Sequence, residues 1–380
     1  MSLTKELETY IQKSQEELKQ LIRDLCAIPA PSHHEEQRAA FCKKWFEENG
    51  GKNVVIDEAQ NVICPYGVTE DNDVVVFMAH TDTVFPDTEP MPFREEGNMM
   101  YCPGVTDDTA NLAVLMMCAK YIMENKLPVK PGLVFVANSC EEGLGNLKGC
   151  RSIVEKFGSR MKEFITLDGL SLHNVVTRAV GSHRYRIVAK TAGGHSFQAF
   201  GTRNAIQVLA TLVDRLYQVQ VPVNGDSRTT YNVGIISGGT SVNTIAQSAE
   251  MLYEYRSNDK NCLQIMKDTF DAIVKECTPS DGEILVEMIG ERPCAGNVDE
   301  AAWEDLIARG SRAIEAIGNV PRYGMASTDC NIPLSVGIPA ICLGVCVGGK
   351  VHTREEWLDT SSLVDGCRLF MEFLGNYCVK

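Results

Sequence analysis

The segment DVVVFMAHTDTVFP constrains the fold most: Val74–Ala79 is six apolar residues in succession, ending on His80. An amphipathic helix or a half-wet strand would interleave polar positions. An unbroken run with three valines reads instead as a strand buried on both faces. Comparable runs recur at GLVFVANSC, FITLDG and PAICLGV, separated by helical stretches such as DDTANLAVLMMCAKYIMENK. Buried strands alternating with helices imply an α/β fold, a mostly parallel sheet covered by helices on both faces.

The chain opens with helices, where Ser14 with Glu17 and Ser32 with Glu35 read as capping boxes on either side of the breaker AIPAPS. After about Ala179 the pattern changes. SHRYRIVAKTA alternates polar and apolar residues, an amphipathic helix follows at NAIQVLATLVDRLYQV, then two strands, a second helix and a last strand at EILVEMIG. That order, β-α-β-β-α-β, is the ferredoxin-like split arrangement. The α/β pattern resumes near Cys294. The expected organisation is a catalytic domain in two parts, residues 1–180 and 294–380, interrupted by an α+β lid domain at residues 181–293.

A chain of 380 residues is long enough for two or three domains. Its net charge of −14 argues against nucleic-acid and anionic-membrane partners, both of which need a basic face. No stretch approaches the roughly 18 apolar residues of a membrane span, and the polar start MSLTKELETYIQK lacks the apolar segment of a secretory signal. The 15 cysteines form no CxxC pair, and several sit in apolar runs, such as Cys118 and Cys342. They read as small hydrophobes in a reducing, cytoplasmic protein rather than as a disulfide framework.

Ligands in such sheets gather beyond the carboxyl ends of the strands, where His80, Glu141, Glu142 and Asp168 fall. With Asp107 and His352 in following loops, they make a histidine and carboxylate set without thiolates. That chemistry suits two divalent ions, zinc first, with cobalt or manganese as alternatives. A pair of ions about 3.5–4 Å apart needs a bridging carboxylate plus a histidine and a further carboxylate for each. Asp107 can bridge, with His80 and Asp168 on one side and Glu142 and His352 on the other. Asp82 can accept the other ring N–H of His80 and fix its tautomer. Glu141, beside the ligand Glu142, can serve as general base toward a metal-activated water and return the proton to the leaving amine. A lone HxD, EE or DG carries little weight. Their joint occurrence at the ends of buried strands carries much more.

Together MAHTDTVFP, PGVTDDTANLAVLM, CEEGLGNLKG, TLDG, AGGHSFQAFGTRNAI, STDCNIPLSVGIPA and VHTREEWLD resemble the di-zinc exopeptidase family of peptidase T, glutamate carboxypeptidase, aminoacylase and acetylornithine deacetylase, over about Ile28 to Asp359. The resemblance implies the same ligand roles, a discontinuous catalytic domain and a lid that forms a homodimer. It further implies that His195 of GGHS reaches the partner subunit's active site to stabilise an oxyanion, and that Asn243 and Arg256 contact substrate. The family usually places Lys and Gly shortly after the bridging aspartate. Here Thr109, Ala110 and Asn111 stand there, which leaves the packing of that loop open. The expected activity is hydrolysis of a peptide bond in small peptides, with N-acyl-amino-acid deacylation as the rival. A member retained only as a scaffold would show a damaged ligand set, and this one is complete.

Overall fold

A computed structural model describes residues 4–379, and it divides the chain into two compact units, 1–179 with 296–380, and 180–295. In the first unit an eight-stranded sheet is built around Val74–His80, which pairs in parallel with Gly132–Asn138 on one side and Met161–Leu167 on the other. Ala340–Leu343 extends the parallel run beyond Met161–Leu167. Antiparallel strands Val55–Ile56 and Val62–Tyr66 close one edge, and the parallel pair Asn174–Ala179 and Arg322–Ala326 closes the other. Every residue of Val74–His80 and of Gly132–Asn138 is buried, as an all-apolar central strand requires.

Alternation sorts the two faces. Val75, Phe77 and Ala79 join the core formed with helices Gln15–Cys26, Glu36–Glu48, Asn111–Glu124, Glu300–Ala316 and Leu363–Leu374. Val74, Val76 and Met78 are buried on the opposite face. Four short strands missed in the sequence, Arg94–Glu96, Met99–Tyr101, Val347–Gly349 and Trp357–Asp359, form a separate small sheet. At three residues each, they are too brief for a period to register.

Neither expected capping box forms. Ser14 Oγ donates back to the Tyr10 carbonyl at 2.8 Å, because Ser14 also ends the preceding helix Lys5–Lys13. Ser32 and Glu35 turn away from the helix that begins at Glu36, Ser32 toward the Asp82 carboxylate and Glu35 toward the Cys140 amide.

The second unit is a four-stranded antiparallel sheet of Thr229–Gly238, Ser248–Ser257, Gly181–Thr191 and Gly282–Arg292, in that spatial order. Relative to chain order this is second, third, first, fourth, the ferredoxin-like arrangement. Helices Ala205–Tyr217 and Lys260–Cys277 pack on one face against Tyr185, Ile187, Met251, Tyr253 and Tyr255. Among the described residues, no helix is long and apolar enough to cross a membrane. All 15 cysteines are thiols.

Phe77 anchors the first unit. Its ring lies 5.7 Å from those of Phe135 and Phe370 and 5.6 Å from that of Tyr377. Phe77→Ala is expected to cost about 3–5 kcal/mol through lost burial and a residual cavity. Denaturant unfolding checks this, and a loss below about 0.5 kcal/mol, the scale of a surface change, would contradict it.

Candidate metal centre

Parallel neighbours bring the acidic and imidazole groups together. His80 ends its strand in register with Asn138, so His80 and the turn carrying Glu141 and Glu142 emerge side by side. Asp168 follows directly on Met161–Leu167. Asp107 lies in the tight turn Val105–Ala110 that enters helix Asn111–Glu124, and His352 lies in the loop after Val347–Gly349. All belong to the first unit.

The two oxygens of Asp107 face different histidines. Oδ1 is 3.1 Å from His80 Nε2, and Oδ2 is 3.1 Å from His352 Nε2. His352 Nε2 also stands 3.2 Å from Glu142 Oε1. Ligand atoms of His80, Asp107 and Glu142 lie within 4.8 Å of one another, as do those of His80, Glu141 and Asp168. The structure thus gathers all of the expected ligands, and sets Glu141 among them.

Tautomer chemistry tests whether ions fit. His80 Nδ1 is 3.0 Å from the Asp82 carbonyl oxygen, which can only accept, so Nδ1 carries the proton. In the neutral ring Nε2 then presents a lone pair to Asp107 Oδ1. Two acceptors at that distance repel unless a proton or a metal cation lies between them, so the pair is a place that favours positive charge. Donors on one tetrahedral zinc at about 2.0–2.2 Å stand roughly 3.3 Å apart, close to the spacings here. The residues present fit a divalent ion.

The charge balance agrees. Burial works against a charged His80, yet Asp108, Asp107 and Asp82 together hold its pKa well above the ordinary value. Hydrogen bonds donated to Asp107 and Glu142 push His352 up to about 10. Burial, reinforced by Asp108, Asp107 and Glu141, raises Asp168. Burial and the Asp107 charge raise Asp108. Burial would raise Asp107 too, but the two imidazoles carry it far below the usual carboxylate range. Crowded carboxylates thus favour positive charge at this place, whether carried by ring protons or by a metal ion.

Asp82 meets His80 with two groups. Its carbonyl oxygen accepts the ring N–H at 3.0 Å, and its nearest carboxylate oxygen stands farther off, 3.5 Å from Nδ1, and adds its charge. The carboxylate is already engaged, accepting from Glu141 N and Glu142 N at 3.0 Å each and from Ser32 Oγ at 2.6 Å. A second carboxylate, Glu35, accepts from Cys140 N at 2.9 Å. Cys140 has φ +57, a left-handed conformation that costs a non-glycine residue about 1–2 kcal/mol. Gly145 packs so closely behind it that a Cβ would sit 2.7 Å from the Cys140 backbone.

Glu356 does the same for the Asp107 turn. Its oxygens accept from the amides of Gly104 and Thr106 at 2.8 Å and of Asp107 at 2.9 Å, and burial pushes it up to about 7. Asn111 knits the loop together. Its Nδ2 donates to Asp108 Oδ1 at 2.7 Å and to the Gly169 carbonyl at 3.2 Å, while Oδ1 accepts from Val345 N at 3.0 Å. Asp108, Asn111, Glu356, Ser32 and Glu35 were missed as site residues, because their partners lie far away in sequence. Only the tandem acids of DD and REEW hinted at Asp108 and Glu356.

His195, Asn243 and Arg256 belong to the second unit. Gly194–His195 pairs with Thr244–Ile245, and Ser196 N donates to the Asn243 carbonyl at 3.0 Å. The amides of Phe197 and Gln198 point at His195 Nδ1 from 3.3 and 3.4 Å, which makes Nδ1 the acceptor and leaves the ring proton on Nε2. The ring is exposed. Arg256 pairs with Glu254 through Nε at 2.9 Å and Nη2 at 3.0 Å.

Known proteins agree with this architecture. The uncharacterised protein YqjE of Bacillus subtilis is 23% identical over 363 residues, covering 90% of this chain and 93% of its own length. A putative succinyl-diaminopimelate desuccinylase of Mycobacterium tuberculosis is 25% identical over 314 residues, covering 79% of this chain and 82% of its own. The crystal structure of a tripeptidase from Staphylococcus aureus superposes with a TM-score of 0.75 at 22% identity, over 94% of this chain and 97% of that one. The model of peptidase family M20/M25/M40 matches residues 76–376, and the chain therefore belongs to that family of metal-dependent hydrolases acting on peptides and amides.

Proposed function

We propose that the protein is a two-metal exopeptidase that hydrolyses the amide of a small peptide. The observation that carries this reading is the Asp107 carboxylate standing between two imidazoles, with one oxygen 3.1 Å from each. His80 and Asp168 would hold one ion, Glu142 and His352 the other, and Asp107 would serve both, with zinc the first expectation and cobalt or manganese behind it. Bound ions of this kind supply Lewis acidity, polarising a carbonyl and lowering the pKa of water from 15.7 toward about 7.

The chain's own groups complete the reaction. Glu141 takes the proton of the attacking water and returns it to the leaving amine, and its direction is set by the amide held on Asp82. His195 presents Nε2–H as an oxyanion donor toward the partner subunit's site. Homodimerisation through the second unit is supported by its edge strand Thr229–Gly238, which leaves Ile235 and Ile236 more than half exposed. Asn243, on the loop that pairs with the His195 ribbon, and Arg256, whose side chain keeps 36% of its surface open, would bind the substrate carboxylate. Thiols free of disulfides suit a reducing compartment such as the cytoplasm.

A second reading, N-acyl-amino-acid deacylase, uses the same machinery and is favoured by the M. tuberculosis relative, described as a putative desuccinylase. Turnover of a panel of di- and tripeptides and N-acyl amino acids, before and after chelation, tests both. Chelator-sensitive cleavage led by peptides supports the first reading, and cleavage led by N-acyl amino acids replaces it with the second. Glu141→Ala is expected to retain metal and lose roughly 10²–10⁴-fold in kcat; an unchanged kcat removes Glu141 as the base. His195→Ala is expected to be impaired alone and to recover activity in heterodimers with Glu141→Ala, since one mixed site then holds both groups. Heterodimers without activity would refute the cross-subunit role.

A further inference from the structure

Glu35 is almost wholly buried, 1% exposed, and is not itself one of the proposed metal ligands. Its Oε1 accepts from Cys140 N at 2.9 Å, from the Cys140 thiol at 3.3 Å and from His33 N at 3.1 Å. It stands at the start of the helix Glu36–Glu48 and makes no cap hydrogen bond there, so its charge is spent on a partner 105 residues away in sequence. That partner is the residue at which the chain turns off strand Gly132–Asn138 and reverses into the Glu141–Glu142 pair. Cys140 and His33 both have φ above zero, at +57 and +74, and Glu35 joins these two left-handed residues. Three consecutive amides, of Cys140, Glu141 and Glu142, are thereby claimed by two internal carboxylates, Glu35 for the first and Asp82 for the other two.

We propose that Glu35 is a positioning residue for catalysis: by holding Cys140 in its left-handed conformation it sets the direction in which the Glu141 carboxylate is presented. The proposal rests on Glu141 being the general base. Misplacing a reacting group by an ångström costs on the order of 100-fold in rate, and the Cys140 amide is held by the Glu35 carboxylate. The acceptor oxygen carries the effect, so a glutamine, which keeps an oxygen at that place, preserves it.

The test uses the full-length, metal-reconstituted protein on the peptide or N-acyl amino acid it cleaves fastest. Glu35→Ala is expected to lower kcat roughly 10–100-fold, with KM within about twofold and metal content unchanged, the signature of an interaction lost mainly in the transition state. Glu35→Gln is expected to restore most of kcat. Adding Cys140→Gly to Glu35→Ala is expected to recover part of it, because glycine adopts the left-handed conformation without help. A wild-type kcat in Glu35→Ala overturns the proposal, and so does loss of metal in parallel with activity, which would make Glu35 a support of the whole centre. If Glu35→Ala does not fold, Glu35→Asp, which draws the acceptor back by one methylene, carries the test. A wild-type kcat from it overturns the proposal. Glu141→Ala, measured alongside, separates the two failures: an active Glu141→Ala sinks the base assignment, whereas an inactive one beside an active Glu35→Ala sinks only the positioning role.

Discussion

The Asp82 carbonyl oxygen decides what the centre can be. By accepting the Nδ1–H of His80 it aims Nε2 at Asp107, where a proton or a metal ion can stand between them, and Asp107 in turn offers its second oxygen to His352. A lone pair facing a carboxylate in a buried pocket is unfavourable unless positive charge is shared between them. Asp108, Asp168 and Glu141 crowd the same space and add to the demand for positive charge there. The rest of the first unit, from the buried strands to the turns at their ends, holds these like charges in place against their repulsion. Divalent ions between the histidines and Asp107 would convert that repulsion into binding energy.

The backbone supports this arrangement through a device used twice. Where the chain leaves a strand or enters a helix, amide groups lose their regular partners. Here they are aimed at internal carboxylates: Cys140, Glu141 and Glu142 at Glu35 and Asp82, and Gly104, Thr106 and Asp107 at Glu356. Each carboxylate fixes a turn that carries acidic groups of the centre, so it adds order at the cost of more negative charge. Asn111 performs a neutral version of the same task, tying the Asp107 turn to the loops after two neighbouring strands.

Much of this was legible in the sequence, and the reasons are physical. The all-apolar runs ending on His80 and Asn138 specify strands buried on both faces, and parallel pairing delivers the residues just beyond them to one edge of the sheet. The period change after Ala179 marked a second pattern, and the sheet there runs in the ferredoxin-like order. What could not be read were side-chain to backbone contacts between distant segments. Ser32 and Glu35 fit a helix cap on local spacing, but buried groups 50 and 105 residues away offered stronger partners. Asp82 likewise had the spacing to reach His80 with its carboxylate, yet its own carbonyl was nearer and the carboxylate was drawn to two amides.

The central claim is that Asp107 is shared between two ions. The most direct measurement is anomalous diffraction from crystals of the zinc-reconstituted protein, recorded on both sides of the zinc edge. Two peaks about 3.5–4 Å apart, one on the His80 and Asp168 side of Asp107 and one on the His352 and Glu142 side, are the expected result. A single peak, or a map with none at the centre after reconstitution, would contradict the claim.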